Sequence, residues 1–545
     1  MNKLLVIFCT TALLVFTSCK NNKNIPAIAD VDTTLYYLDS SQINQFLDKH
    51  TTLQHHQEMK SFYSDRNNAF AWINSAGVNE YAGSFINLLN HEEFKYRADS
   101  AFHQSKLNSL YKSISEETDS INIKDNDAIE LELLLTMNYF EYAKRNWTTA
   151  SNATMRQADW FIERKRIDYK QFLDTILKND NHSAAGNNPI NHQYELLKTY
   201  LQKYYAIEQK GGWINFSDEN NKYKKGDSAI VISRIKKHLF LMEDLIVNDS
   251  SKLFNQLLED ALKKFQSRYG INEDGMLTNA TLQALQVSLK TSIQKILINM
   301  ERSRWVPAQM KGDYLVVNIP EFKLHVYTND KLDWSCNVVV GKSKQVNNTV
   351  IFNDSLESVV FSPYWNIPKG ILAKEILPGI QKNINYLANH NLEVADGEKL
   401  IAAASINWNQ YTASSFPYII RQIPGKKNSL GLVKFLFPNQ YDIYLHDTPE
   451  KSLFEEETRA FSHGCVRVVE PFKLAKFLLR NEPSWTDTKI TTAMNGGVQN
   501  IVMLKTKVPV FIVYFTAFVD KSGKLNFRDD VYHHDEKMKL LLFKM

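Results

Sequence analysis

Two residue types that together perform acyl transfer stand close in this chain. His446 closes the apolar run Ile443-Tyr444-Leu445, and fifteen residues separate it from Ser462-His463-Gly464-Cys465-Val466-Arg467. Attack by sulfur needs a thiolate, a base to make it, and donors for the oxyanion that forms. Cys465 supplies the sulfur and His446 can take its proton. Gly464 has no Cβ, so a carbonyl substrate can approach the backbone N–H groups of Gly464 and Cys465. A free cysteine titrates near ~8.5, and pairing with a histidine can bring it several units lower. A cysteine taken alone is more often buried and inert, but the whole string outweighs that reading.

The neighbours carry two readings each. His463 either shapes the pocket or is a structural imidazole. Arg467 either holds a substrate carboxylate through bidentate hydrogen bonds or forms an internal ion pair supporting the cysteine loop. The group that orients His446 is open between a backbone carbonyl and a side chain. Asp447 stays unassigned, since adjacent residues often point apart. No Mg or Zn signature accompanies these groups, and no cofactor or metal is expected. His55-His56 reads as a solvated helix face and His533-His534-Asp535 as an exposed turn.

The elements that must position these residues change character along the chain. From Leu35 to Tyr223 the texture is helical, with few Gly or Pro. Ala128 to Tyr142 has apolar residues at helical spacing on more than one face, which predicts a buried helix. Tyr63, Trp72, Trp147 and Trp160 read as core, and Asn179 to Asn191 as a loop. Over Gly226 to Leu289 the pattern is helix, Asp274-Gly275 turn, helix. Leu289 to Trp305 reads as a connecting helix ending at Val306-Pro307. From Asp313 the period becomes alternating. Strands are expected at Tyr314 to Ile319, Lys323 to Tyr327, Trp334 to Val340, Leu356 to Phe361, Leu432 to Phe437, Ile443 to His446 and Val508 to Phe518. Pro471 to Arg480 reads as a helix with Pro471 in its first turn. His446 then lies at a strand end and Cys465 at the start of the next strand.

A chain of 545 residues holds two to four domains. Its net charge of +4 is small for this size, giving no reason to expect nucleic acid or electrostatic membrane docking. Of four cysteines only Cys336, in the strand-like Trp334 to Val340, and Cys465 lie in the body. A disulfide between them would silence the nucleophile, so both thiols are expected free. At the N-terminus the apolar run Leu4 to Phe16 is too short for a membrane span but suits a signal-peptide core.

The stretch around His446 and Cys465 resembles the signature of L,D-transpeptidases with a YkuD-type catalytic domain. Arg421-Gln422-Ile423-Pro424-Gly425, Asn428-Ser429-Leu430-Gly431, Lys434-Phe435, Phe437-Pro438-Asn439 and Tyr444-Leu445-His446-Asp447-Thr448-Pro449 narrow it to the YcbB-like subgroup. Pro363-Tyr364-Trp365-Asn366-Ile367-Pro368 and Lys374-Glu375-Ile376-Leu377-Pro378 fit as well. The likeness is close over about 300 to 545 and looser before it. It implies joining of peptidoglycan stem peptides through their third residues, with Cys465 as nucleophile and His446 as base. Trp365 and Tyr444 match pocket aromatics of the subgroup, although aromatics on strands are usually core.

The resemblance also implies an organisation. The fold class is multidomain α+β: a helical scaffold and a small three-helix peptidoglycan-binding module, followed by a mostly β catalytic domain with a helical or loop capping insert. The expected boundaries are 1–19 for a lipoprotein signal peptide, 20–34 for a tether, 35–225 for the scaffold and 226–289 for the module. A connecting helix over 290–312 leads to the catalytic domain at 313–545, with the insert at about 366–430. The module's marks are Ala261-x-x-x-Phe265-Gln266 and Asp274-Gly275 followed by Thr281. Phe16-Thr17-Ser18-Cys19 resembles a bacterial lipobox, with Phe where Leu is commoner. Cys19 is then the lipid-attachment site of a periplasm-facing lipoprotein, with the outer membrane favoured. Peptidoglycan stem peptides and glycan strands are the implied partners. Two alternatives stay open: an L,D-carboxypeptidase, in which water replaces the amine, and a non-catalytic lipid-tethered wall binder, against which the intact Cys465 and His446 argue.

Overall fold

The computed structural model describes residues 35–51, 55–75, 77–90, 103–116, 126–147, 151–162, 168–178, 191–216, 222–343 and 347–543. The lipobox-like segment with Cys19 lies outside them. Two compact units are present, residues 1–146 with 168–184 and residues 147–167 with 185–545.

The first unit is helical around a small antiparallel sheet of β1 (Leu35–Tyr37), β2 (Ala69–Asn74) and β3 (Gly77–Val78). Its centre is the helix Asn126–Trp147, on which Leu131, Leu134, Leu135 and Phe140 are fully buried. That matches the two-faced apolar pattern read from Ala128 to Tyr142. Glu132 is buried on the same helix and is not wasted there. It accepts from the N–H groups of Ala71 at 2.6 Å and Trp72 at 2.9 Å, and from the Tyr63 hydroxyl at 2.9 Å. A buried carboxylate without such donors would be prohibitively costly. Burial still outweighs the donors and raises its pKa to about 7. His55 departs from the expected solvated face, being buried and stacked 6.3 Å from Phe140.

In the second unit, helices Ile230–Leu241, Gln256–Tyr269 and Asn279–Leu285 enclose Ile232, Ile235, Leu258, Leu262 and Phe265. The Gln-Asp-Gly-Thr marks prove to be internal. Gln266 Nε2 donates to Asp274 at 2.7 Å, to the Met276 carbonyl at 3.0 Å and to Thr281 at 3.0 Å. Its Oε1 accepts from Gly275 N–H at 2.8 Å. The helix Leu289–Trp305 follows and buries Arg302, which pairs with Asp535 at 2.6 Å. His534 and Asp535 are buried, so His533-His534-Asp535 is not an exposed turn. Arg302 supplies the charge that draws Asp535 inward.

The β region contains β4 (Tyr314–Asn318), β5 (Lys323–Thr328), β6 (Lys331–Gly341), β7 (Asn353–Phe361), β12 (Val433–Leu436), β13 (Leu445–His446), β14 (Ala460–Ser462), β15 (Val466–Val468) and β16 (Asn500–Val513). Their order is β14-β6-β15-β13-β12-β7-β16-β4-β5, and β5 pairs back onto β6. The eight strands from β6 round to β5 therefore close on themselves, leaving β14 as the edge of this sheet among the described residues. Inward residues such as Leu315, Val317, Leu324, Val338, Phe435, Leu445 and Val466 fill the interior.

Between β7 and β12 lies the insert. It has the expected helical pieces, including Leu377–Lys382, and also a four-stranded sheet, β10-β9-β11-β8. Here β8 is Trp365–Asn366, β9 Leu392–Asp396, β10 Lys399–Ile401 and β11 Ile419–Gln422. The sheet was not expected, although Asp396-Gly397 marks its hairpin, with Gly397 at φ +61°. Ile376, Leu377, Ile380, Val394 and Trp408 give the insert its own core.

Candidate active site

Strands β13 and β15 are adjacent and parallel. Leu445 stands opposite Val466 and His446 opposite Arg467, while Val466 N–H donates to the Tyr444 carbonyl at 3.1 Å. On the other side of β13, Lys434 of β12 stands opposite His446. Side chains alternate along a strand. Val433, Phe435, Leu445 and Val466 therefore turn into the core, where all are fully buried. Lys434, Tyr444, His446, Cys465 and Arg467 share the other face, in a row that runs Arg467, His446, Lys434 across three strands.

His446 is buried, and its Nδ1–H donates to the Asp447 carbonyl. A carbonyl only accepts, so Nδ1 carries the proton and Nε2 keeps its lone pair. Burial, then the charge of Arg467, then that of Lys434 push the imidazole pKa down to about 3. The orienting groups are thus main-chain carbonyls, that of Asp447 and that of Leu430. The Asp447 side chain turns elsewhere, accepting from Leu432 N–H at 2.9 Å and pairing with Lys451 at 2.5 Å.

Cys465 is half-buried and free, as is the buried Cys336. Its thiol donates to the Asp442 carbonyl at 3.5 Å, and no hydrogen bond joins it to His446 among the described residues. Burial raises its pKa to about 11, against the lowering effect of the Tyr444 N–H and hydroxyl. The depressed thiol expected from sequence is therefore reversed in this resting arrangement, because the sulfur is withdrawn from water and lacks an imidazolium partner. Trp365 in turn hydrogen-bonds the Tyr444 hydroxyl, so Trp365, Tyr444 and Cys465 form one contiguous wall.

Gly464 adopts φ +126°, which explains the glycine. Its N–H donates to Ser462 Oγ at 3.1 Å and its carbonyl accepts from Thr349 at 2.7 Å. Of the two expected oxyanion donors, Gly464 is thus occupied, and Cys465 N–H has no hydrogen-bond partner among the described residues. Arg467 is ion-paired with Glu450, the internal role of the two considered. His463 is exposed, 3.6 Å from Glu375 of the insert. Sequence reasoning gave no role to Lys434, Asp442 or Thr349. For Lys434 the signal was available, since alternation over Leu432 to Phe437 turns it away from the core. Its facing His446 depends on register, which sequence did not reveal.

Comparison with known proteins bears on this geometry. Residues 312–510 match the YkuD family, described as "L,D-transpeptidase catalytic domain". Residues 57–201 match "Scaffold domain" and 243–285 "Putative peptidoglycan binding domain". A Haemophilus influenzae protein named "Putative L,D-transpeptidase" is 34% identical over 292 residues, which are 52% of this chain and 57% of that protein. The chain thus spans somewhat over half the length of that relative. Two solved L,D-transpeptidase structures are also similar. The one from Xylanimonas cellulosilytica is 11% identical, covers 54% of this chain and 99% of that one, and has a TM-score of 0.18. The one from Stackebrandtia nassauensis is 14% identical, covers 53% and 94%, and has a TM-score of 0.23. Those scores are too low to bear on the fold. The β region built around His446 and Cys465, over residues 312–510, belongs to the YkuD family of L,D-transpeptidase catalytic domains.

Proposed function

We propose that the chain is a peptidoglycan L,D-transpeptidase of the YcbB-like kind, cross-linking stem peptides through their third residues in cell wall biogenesis. The observation that supports this most is the shared face of β13 and β15, with His446 and Cys465 two residues out of register inside the family match. Strands lie about 4.8 Å apart and rise about 3.3 Å per residue, so a two-residue offset puts the Cβ atoms roughly 8 Å apart, and a turn of the Cys465 side chain away from Asp442 brings sulfur towards the imidazole. Catalytic hydrogen bonds often tighten only when substrate is bound.

In the first half, His446 Nε2 takes the thiol proton as sulfur attacks the amide after the third residue of a donor tetrapeptide. The S–C bond forms, the C–N bond breaks, and D-alanine leaves with the proton returned by the imidazolium. In the second half, the side-chain amine of another stem's third residue attacks the thioester. It gives its proton to His446 and displaces sulfur, which is reprotonated. The Cys465 N–H faces the oxyanion, and Trp365 and Tyr444 line the pocket. With Cys465 and His446 both neutral at rest, the base acts during attack rather than through a preformed ion pair.

The 243–285 module supports binding to glycan strands, but Gln266, Asp274 and Thr281 are consumed in holding it together, so contacts must come from other residues. The N-terminal pattern supports lipid attachment at Cys19 and a periplasm-facing anchor, favouring the outer membrane. Incubation with purified tetrapeptide muropeptides tests the activity. Cross-linked dimers are expected from wild type and none from Cys465→Ala. Tripeptides without dimers would instead mean a carboxypeptidase, and no change in the muropeptides would leave a wall-binding protein. A carbapenem is expected to acylate Cys465, read as an intact-mass adduct absent from Cys465→Ala.

A further inference from the structure

The row Arg467, His446, Lys434 places two basic side chains beside the nucleophile, and they are not equivalent. Arg467 already has a carboxylate, that of Glu450. Lys434 has none. Its Nζ reaches the Tyr364 carbonyl at 3.4 Å, longer than a good hydrogen bond, and lies 6.0 Å from the centre of the Tyr444 ring. The same ring borders Cys465, and burial lowers the Lys434 pKa, an effect that a thiolate at Cys465 would oppose. A half-buried ammonium with no counterion is costly. It is retained where a ligand brings the missing charge.

We propose that Lys434 binds the free C-terminal carboxylate of the donor peptide and so restricts the enzyme to cleavage one residue from a peptide end. This rests on the acyl-transfer reading above. When D-alanine is the leaving residue, its carboxylate carbon is two bonds beyond the scissile nitrogen, within about 5 Å of the attacked carbonyl. A cation facing the Tyr444 and Cys465 side of the sheet is where that carboxylate falls. Arg467, neutralised by Glu450, supports the loop. Lys434 is the specificity residue, and it acts on the end of the substrate rather than on the bond that breaks.

The test compares a tetrapeptide stem ending in D-alanine with the same peptide as its C-terminal amide, following release of D-alanine or D-alaninamide by mass spectrometry. Wild type should prefer the free acid in kcat/KM by about 10- to 100-fold, the range of one charge-assisted hydrogen bond. Lys434→Met should bring that ratio close to one, and Lys434→Arg should keep most of it. A general loss of packing would lower both rates together and leave the ratio intact, which would overturn the proposal. Equal rates on acid and amide with wild type would overturn it without any variant. No turnover of either peptide would overturn the acyl-transfer reading and this one with it.

Discussion

Cys465 and His446 are kept neutral by one cause, removal from water; the cations flanking His446 add to it for the imidazole, while Arg467 works against it for the thiol. The imidazole pKa lies at about 3 and that of the thiol at about 11. Between those values the resting pair is thiol and free base. Alkylation by iodoacetamide requires thiolate, so its rate on Cys465 should climb through pH 8 and 9 without levelling off. A plateau near pH 6 or 7 would mean a preformed thiolate–imidazolium pair. In the proposed mechanism, carbapenem acylation would use the base instead. In His446→Ala it should fall by about 10²- to 10⁴-fold at neutral pH, the usual worth of a general base. It should recover in part as pH rises and thiolate forms unaided. Wild-type rates across that series would remove His446 from the chemistry and point to His463.

At the scale of elements, the base depends on the turn between Asn428 and Val433. Gly431 sits at φ +62°, and a Cβ there would come within 2.3 Å of Asp447 Oδ2. Asp447 is the residue whose carbonyl holds His446. Gly431→Ala should therefore cost about 1–3 kcal/mol of stability and also slow acylation, measured by thermal unfolding and by adduct formation. A variant that melts like wild type would show that the turn yields without disturbing Asp447. This dependence was invisible in sequence, where Gly431 belonged to a motif and Asp447 was only a neighbour of His446. Local periodicity did reveal the strand that ends at His446, the helix Leu289–Trp305 and the buried character of Ala128 to Tyr142. What it could not reveal came from long-range pairing. The Lys434–His446 register joins residues twelve apart across a turn. The burial of Asp535 depends on Arg302, more than two hundred residues away. The elevated Cys465 pKa follows from the walls around the sulfur, not from the identity of its neighbours in the chain.

At the scale of the whole molecule, the two units carry different electrostatic liabilities, and that of the first can be measured by itself. Glu132 has a pKa of about 7 in the folded unit against an ordinary 4.5. The folded state thus holds this proton more tightly than the unfolded chain. The resulting stabilisation is full below about pH 4.5 and disappears as pH rises to about 7. A difference of this size is worth about 3 kcal/mol. In Glu132→Gln the group no longer titrates. One amide oxygen must also replace two carboxylate oxygens facing the N–H groups of Ala71 and Trp72. The variant should be less stable than wild type at pH 5, and the gap should narrow by pH 8 as wild type loses its bound proton. Hydrogen exchange on the 69–74 segment of the full chain reads this locally, with protection compared between the two proteins at each pH. A gap that stays constant from pH 5 to pH 8 would mean that Glu132 is already ionised in the fold, held by its three donors, and that burial does not dominate there.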